Sequence, residues 1–146
     1  MSSTPLAFNG LLVWKEEFIG YVNNYPRRTN MPYETFYMYS GDSRTMIVYV
    51  KDKDQNPIDL SGATAVLTWK TDKDAASATL TKTTAVAADG AIGAADLGEI
   101  YFYLLPDDTN TLTIRQYVWS VAVTLSNGKV YTVLDGVANV LQSVVV

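Results

Sequence analysis

The stretch YVWSVAVTLSNGKVYTVL, residues 117–134, decides the fold class of this chain. Its large apolar residues recur at every second position: Tyr117, Trp119, Val121 and Val123. A period of two is that of a β-strand with one buried face. Asn127-Gly128 is the strongest short-range hairpin signal, and residues 130–134 return as a second β-rich run. The stretch therefore predicts two antiparallel strands that bury one face.

Similar short runs extend outward from this hairpin. β-Branched and aromatic residues are concentrated at residues 45–50, 63–70, 98–105 and 137–146. Between the runs, Pro106 begins a short helical turn, the Ala/Gly-rich residues 85–97 predict a mobile surface loop, and Asp135-Gly136 predicts a break before the last strand. About seven short strands separated by turns predict an all-β sandwich.

The composition excludes most catalytic chemistry. The 146 residues include no Cys and no His, and only 18% of them are charged. The chain therefore lacks disulfides, thiolate nucleophiles, the usual zinc ligands and the usual base near neutral pH. The acidic pairs Glu16-Glu17 and Asp107-Asp108 do not converge by themselves, because neighbours in a strand face opposite ways; Asp107-Asp108 is placed to cap the helical turn after Pro106. The sequence predicts no enzyme, no catalytic residues and no cofactor.

One acidic stretch has a faint likeness to a calcium-binding loop. It begins at Asp52 and reads DKDQNP. An EF-hand loop needs Gly at its sixth position and Glu at its twelfth, where this chain has Pro57 and Ala63. Asp, Asn and Pro are the residues that build exposed turns, so the stretch predicts a hairpin turn and no metal site.

The charge distribution argues against nucleic acid and membranes as partners. The net charge is −4, and the only adjacent basic pair is Arg27-Arg28. Binding to phosphates needs a clustered positive face, which this pair alone does not supply. The chain has no apolar run long enough for a membrane span, and residues 1–5 lack the basic region of a signal peptide. We therefore expect synthesis in a cytoplasm.

The N-terminal quarter differs from the rest. Residues 1–39 hold nine of the seventeen aromatic residues, and the charges there cancel. Residues 11–19 fit either a short helix, with Asn9 as its N-cap and Gly20 as its stop, or a strand. We predict that residues 1–36 form an extended N-terminal arm and that residues 37–146 form the sandwich. The arm's aromatics pack either on their own sandwich or on a neighbouring protein; the second alternative predicts these interface residues: Phe8, Trp14, Phe18, Tyr21, Tyr25, Tyr33 and Tyr37.

Several turn and strand motifs resemble those of one known domain. They are GDSRT at residues 41–45, VKDKDQNPIDLSGAT at 50–64, LPDDT at 105–109, YVWSV at 117–121 and LSNGKVYTVLDGV at 125–137. Together they resemble an immunoglobulin-like domain common in tailed-phage virion proteins, which occurs at the N-termini of baseplate upper proteins and in head or tail accessory proteins. The resemblance covers residues 37–142 and excludes the arm. Gln116 departs from it, because the family usually has Gly there.

The resemblance implies a non-enzymatic virion structural protein with an immunoglobulin-like β-sandwich. Because the sequence ends at Val146 without a stem, we expect a capsid decoration (cement) protein that docks through its arm, and removal of residues 2–32 should then leave a folded sandwich. A tail or baseplate adaptor is the alternative, and a carbohydrate-binding module using Tyr101, Tyr103 or Tyr131 is a further one. Expected partners are the major capsid protein or tail and baseplate proteins, with a homo-oligomer, a trimer or dimer, as the assembled form. The expected location is the virion, after synthesis in the host cytoplasm.

Overall fold

The structure is a computed structural model that describes residues 2–8, 11–22 and 34–142, with the backbone alone for residues 2–8 and 11–16. Ten strands lie in these ranges: β1 (Ser2–Phe8), β2 (Leu11–Tyr21), β3 (Glu34–Tyr39), β4 (Arg44–Lys51), β5 (Thr64–Lys70), β6 (Leu80–Thr83), β7 (Gly90–Ile92), β8 (Glu99–Leu104), β9 (Gln116–Thr124) and β10 (Val130–Leu141). A short helix, α1 (Pro106–Thr109), and a 3₁₀ turn (Ala95–Leu97) lie between the strands.

The strands form two five-stranded sheets packed face to face. The first sheet has the order β1-β2-β4-β8-β7 and the second has the order β3-β10-β9-β5-β6. Most neighbours are antiparallel, but β2 pairs with β4 and β3 pairs with β10 in parallel. The predicted all-β, immunoglobulin-like sandwich is confirmed. The strand number exceeds the predicted seven because the N-terminal region and residues 85–97 contribute strands.

An aromatic cluster fills the core between the sheets. The Trp119 ring lies 5.0 Å from that of Phe18 and 6.0 Å from that of Phe36, between ring centroids. Trp69 contacts Phe36 and Tyr117, each at 5.9 Å. All five side chains are buried, and Val121 and Val123 continue the buried face of β9 as the period of two predicts. Such ring pairs contribute roughly 0.5–1.5 kcal/mol each beyond their buried area.

The N-terminal region is built into both sheets, which corrects the division at residue 36. Lys15 to Tyr21 of β2 pair with β4, so residues 11–19 are a strand. Phe18 lies in the core, and the boundary predicted between residues 36 and 37 falls inside β3. Gly20 lets β2 approach the second sheet closely, because a Cβ there would lie 3.0 Å from the Val133 Cγ2.

Two predictions for the second half of the chain are also wrong. Asp135-Gly136 does not end a strand, because both residues lie inside β10. Gly136 is needed instead because the neighbouring strand β3 lies very close beside it: a Cβ there would lie 2.1 Å from the carbonyl oxygen of Glu34, its register partner. Residues 85–97 are not one loop, since Gly90 to Ile92 pair with β8 and a 3₁₀ turn follows.

The predicted turns are confirmed, and each is closed by its own side chains or backbone. At the Asn127-Gly128 hairpin, Gly128 has a φ of +87° and its N–H donates to the Leu125 carbonyl at 2.9 Å. The Asp52 carboxylate accepts N–H bonds from Asp54 and Asn56 at 2.8 and 3.0 Å. The first turn of α1 is capped from Asp108, whose carboxylate accepts the Leu105 N–H at 2.6 Å.

A buried lysine joins three parts of the sandwich. Lys82 on β6 is 3% exposed, and its Nζ lies 2.7 Å from the Asp108 Oδ2 and 3.6 Å from the Asp89 Oδ1. Asp89 precedes β7 and its other oxygen accepts the Thr83 N–H at 3.3 Å. The ion cluster therefore links β6 to the start of β7 and to α1.

Candidate protein interface

The acidic side chains that the structure describes form no cluster of the kind that binds a metal ion. Within residues 17–22 and 34–142, no three acidic side chains come together in a way that could hold a metal ion. No helix in the same part of the chain is long and apolar enough to cross a membrane. Three regions of the described chain are rich in apolar and aromatic residues, one on each sheet and one at the N-terminus.

The first region lies on the outer face of the first sheet. We call it the tyrosine face, and it consists of Ile19, Tyr21, Ile47, Tyr49, Tyr101 and Tyr103. Ile47 lies opposite Tyr101 on β8 and opposite Glu17 on β2. Ile47 lies on the face of β4 opposite to the core residues of that strand. It is nevertheless only 6% exposed, so its neighbours on the sheet cover it. Ile47 is thus a buried apolar residue outside the main core.

Glu99 fixes the position of Tyr101 on this face. The Tyr101 hydroxyl donates to the Glu99 carboxylate at 2.5 Å, and the same carboxylate oxygen accepts the Ala94 N–H at 3.3 Å. Both side chains pack over Gly93, where a Cβ would lie 2.4 Å from the Tyr101 Cε2. This hydrogen bond, with burial and the negative charge of Glu99, raises the pKa of Tyr101 to about 12 from 10.0. Tyr101 is therefore ordered rather than freely adaptable.

We expect Glu99→Gln to lower the pKa of Tyr101 toward its usual value, because the variant weakens the hydrogen bond that the Tyr101 hydroxyl donates and removes the carboxylate charge that opposes ionisation. A pKa raised on folding stabilises the native state below pH 10.0, and this contribution is lost as the pH rises through about 12. Nuclear magnetic resonance of the tyrosine ring carbons would follow the titration. Asp96→Asn, at an exposed carboxylate on the 3₁₀ turn, is the control. An unchanged Tyr101 titration in Glu99→Gln would contradict the assignment.

The second region is a rim on the outer face of the second sheet. Tyr37 and Tyr39 on β3 are 59% and 47% exposed, and Leu141 on β10 lies opposite Tyr39 and is 37% exposed. Phe36 and Met38 alternate with them and point into the core. Because β3 is an edge strand of its sheet, this β3 rim is at the side of the molecule.

The third region is a two-stranded extension of the first sheet. Residues 2–8 of β1 pair with residues 11–17 of β2, whereas β4 pairs only with residues 15–21 of β2. Residues 5–8 therefore pair with residues 11–14, in the part of β2 that comes before its pairing with β4. We call these eight residues the N-terminal ribbon.

The structure disperses the predicted interface residues. Tyr37 belongs to the β3 rim, and Tyr21 is half-buried on the tyrosine face, where its hydroxyl donates to the Gln55 side chain at 3.1 Å. Phe18 is a correction, because it is 2% exposed in the core and contacts Trp119. Phe8 and Trp14 belong to the N-terminal ribbon. Tyr25 and Tyr33 lie outside the described residues.

The tyrosines predicted for carbohydrate binding do not share one surface. Tyr101 and Tyr103 are neighbours on the tyrosine face. Tyr131 is on β10 of the other sheet, where it is half-buried and packs against the core. Sequence reasoning also missed Tyr39 and Tyr49, although both alternate with buried residues of their strands and are thereby marked as outward-facing.

Comparison with known proteins identifies a similar fold. No protein-family model matches the sequence, and no curated protein matches it either. Among solved structures, the N-terminal domain of phage TP901-1 ORF48 is similar, with a TM-score of 0.56 and 9% sequence identity. The match covers 88% of this chain and 99% of that domain. The likeness shows that the two chains share a fold.

Proposed function

We propose that this protein is a non-enzymatic structural component of a tailed-phage virion, positioned in the tail or baseplate. The observation that carries the proposal is the fold, which matches a phage protein domain over 99% of that domain's length. The turn motifs of residues 37–142 independently resemble an immunoglobulin-like domain of tailed-phage virion proteins. Fold alone does not define function, so the agreement of fold and motifs is what supports a virion role.

The tail is favoured over the capsid by the type of domain that this chain resembles. The solved neighbour is the N-terminal domain of a phage protein, and the resembled family occurs at the N-termini of baseplate upper proteins. Nothing in the structural likeness favours capsid decoration, which we expected first from the sequence. Head accessory proteins also carry the resembled domain, so capsid decoration is the competing outcome that the experiment must separate.

The surface of the sandwich is suited to binding protein. Tyr37 and Tyr39 are large aromatic side chains with two χ angles each, so ordering them at an interface costs little entropy. Tyr residues are enriched in interface cores, where charged residues are depleted. A stable interface of this kind would bury about 800 Å² per partner. We further propose a closed homo-oligomer, a trimer or dimer, as the assembled form.

Cosedimentation with separated particle parts tests the position in the virion. Labelled full-length protein is mixed with purified tails and with empty capsids that lack it, from the phage that encodes it. We expect saturable binding to tails and none to capsids, and light scattering of the free protein gives its oligomeric state. Binding to capsids alone would replace the proposal by decoration, and binding to neither would overturn the virion role.

A further inference from the structure

The N-terminal ribbon is apolar throughout, unlike an ordinary exposed hairpin. Its eight residues are Pro, Leu, Ala and Phe at 5–8 and Leu, Leu, Val and Trp at 11–14. Charge begins at Lys15, followed by Glu16 and Glu17. Lys15 is also the first residue of β2 that pairs with β4. The apolar segment therefore coincides with the part of β2 that precedes its pairing with β4.

Both faces of the ribbon are apolar. Residues opposite each other in an antiparallel pair share a face, and successive residues alternate between faces. Trp14 lies opposite Pro5 and Leu12 lies opposite Ala7, which places these two pairs on one face. The other face has the pairs formed by Leu6 with Val13 and Phe8 with Leu11. A sheet that packs on one side only alternates apolar and polar residues, so this pattern requires cover on both sides.

A two-stranded hairpin has little stability in water by itself, and large apolar patches on soluble proteins mark interaction sites. Phe and Trp are among the side chains with the largest surface, and each buries roughly 150–250 Å² when it is covered. The six other apolar residues add to this area. A typical stable interface buries about 800 Å² per partner. The ribbon is therefore large enough to be the main part of a docking contact.

We propose that the N-terminal ribbon inserts into an apolar cleft of a different protein of the virion, which supplies a wall against each face. This inference rests on the proposed virion role and names the element that docks. A lipid bilayer fits less well, because β1 is an edge strand whose outer backbone groups would have no partners in hydrocarbon. A protein cleft can pair with that edge by adding a strand. A second copy of this chain is the competing occupant, which the experiment below separates from a different protein.

Threonine pairs test the two faces separately in the full-length protein. Leu6→Thr with Val13→Thr changes one face, and Ala7→Thr with Leu12→Thr changes the other; Thr keeps a high β-propensity. The matched control is Ile114→Thr with Val130→Thr, at side chains 44% and 64% exposed elsewhere on the protein. We expect each ribbon pair to weaken binding to the wild-type particle target at least about tenfold, and the control to stay within about twofold. Urea unfolding midpoints should match wild type in all three.

The outcomes separate this inference from the proposed function. If wild type binds tails or capsids and either ribbon pair leaves binding unchanged, the two-walled cleft is wrong while the virion role stands. If the wild-type protein binds neither tails nor capsids, both this inference and the proposed virion role are wrong. Flotation with vesicles of phosphatidylcholine and phosphatidylglycerol that carries wild type but not the ribbon variants would assign the ribbon to lipid. Sedimentation velocity that shows the ribbon pairs dissociating a wild-type oligomer, with particle binding intact, would assign it to a second copy. Either result overturns the proposal.

Discussion

A chain that lacks residues 2–32 is expected to lose its cooperative unfolding transition. The deletion removes Phe18, which is 2% exposed and whose ring centroid lies 5.0 Å from that of Trp119. Loss of a buried Phe side chain costs about 3–5 kcal/mol. The deletion also removes the β2 backbone that pairs with β4 from Lys15 to Tyr21. Since domains of this size are stable by about 5–15 kcal/mol in total, these losses together reach the whole margin.

Deletion of residues 2–14 is the matched control, because it removes β1 and the N-terminal ribbon but keeps the paired segment of β2. We expect this shorter deletion to unfold cooperatively in urea with a midpoint near that of the full chain. The fluorescence of Trp69 and Trp119, both in the core, reports the transition in all three proteins. If the chain without residues 2–32 were as stable as the full chain, β2 would be a dispensable strand and residues 1–36 a separable arm, as the sequence first suggested.

The segments that were predicted correctly are those in which local signals decide the structure. In β9 a clear period of two meets an Asn-Gly turn and a second β-rich run, so the pairing of β9 with β10 is indicated by residues close in sequence. The turn at Asp52 is likewise closed within four residues by its own carboxylate. The hairpin and this turn can therefore be recognised from the local sequence.

The N-terminal strands could not be derived in the same way, because their partners are distant. β2 pairs in parallel with β4 and its Leu-Leu-Val-Trp run at 11–14 hides the period of two. Asn9-Gly10, between β1 and β2, is a strong hairpin sequence that also fits a helix N-cap, and the cap interpretation was misleading. Gly136 is similar: it resembles a strand breaker, but its real constraint is the close passage of the Glu34 backbone.

The aromatic composition predicted that the N-terminal quarter takes part in packing. It did not show which of its aromatic residues lie in the core and which lie on the surface. Phe18 and Tyr37 are equally good interface candidates by residue type, yet one is in the core and the other is 59% exposed. The difference depends on which face of a strand each occupies, and this requires the strand register. For the same reason Tyr49 and Tyr39 went unnoticed, although they are outward residues of β4 and β3.

Replacing Lys82 with methionine is expected to destabilise the sandwich by about 3 kcal/mol. The lysine is 3% exposed and is the cation between the carboxylates of Asp89 and Asp108, which are themselves 25% and 17% exposed. Methionine fills most of the volume, so the loss comes from leaving two partly buried negative charges near each other without a counter-charge. Removing one partner of a buried ion pair costs about 3–5 kcal/mol of stability. We expect the lower end of this range because both carboxylates keep some contact with water.

A triple variant distinguishes this electrostatic cause from a packing defect. Asp89→Asn and Asp108→Asn keep oxygen atoms that accept the Thr83 and Leu105 N–H groups but remove the two negative charges. Added to Lys82→Met, they should restore more than half of the lost unfolding free energy, measured by urea denaturation. Lys129→Met, on the exposed hairpin turn, should change stability by at most about 0.5 kcal/mol and controls for loss of a surface lysine. A triple variant no more stable than Lys82→Met would mean that the lysine acts through the packing of its methylene chain, and that the link between β6, β7 and α1 is not ionic.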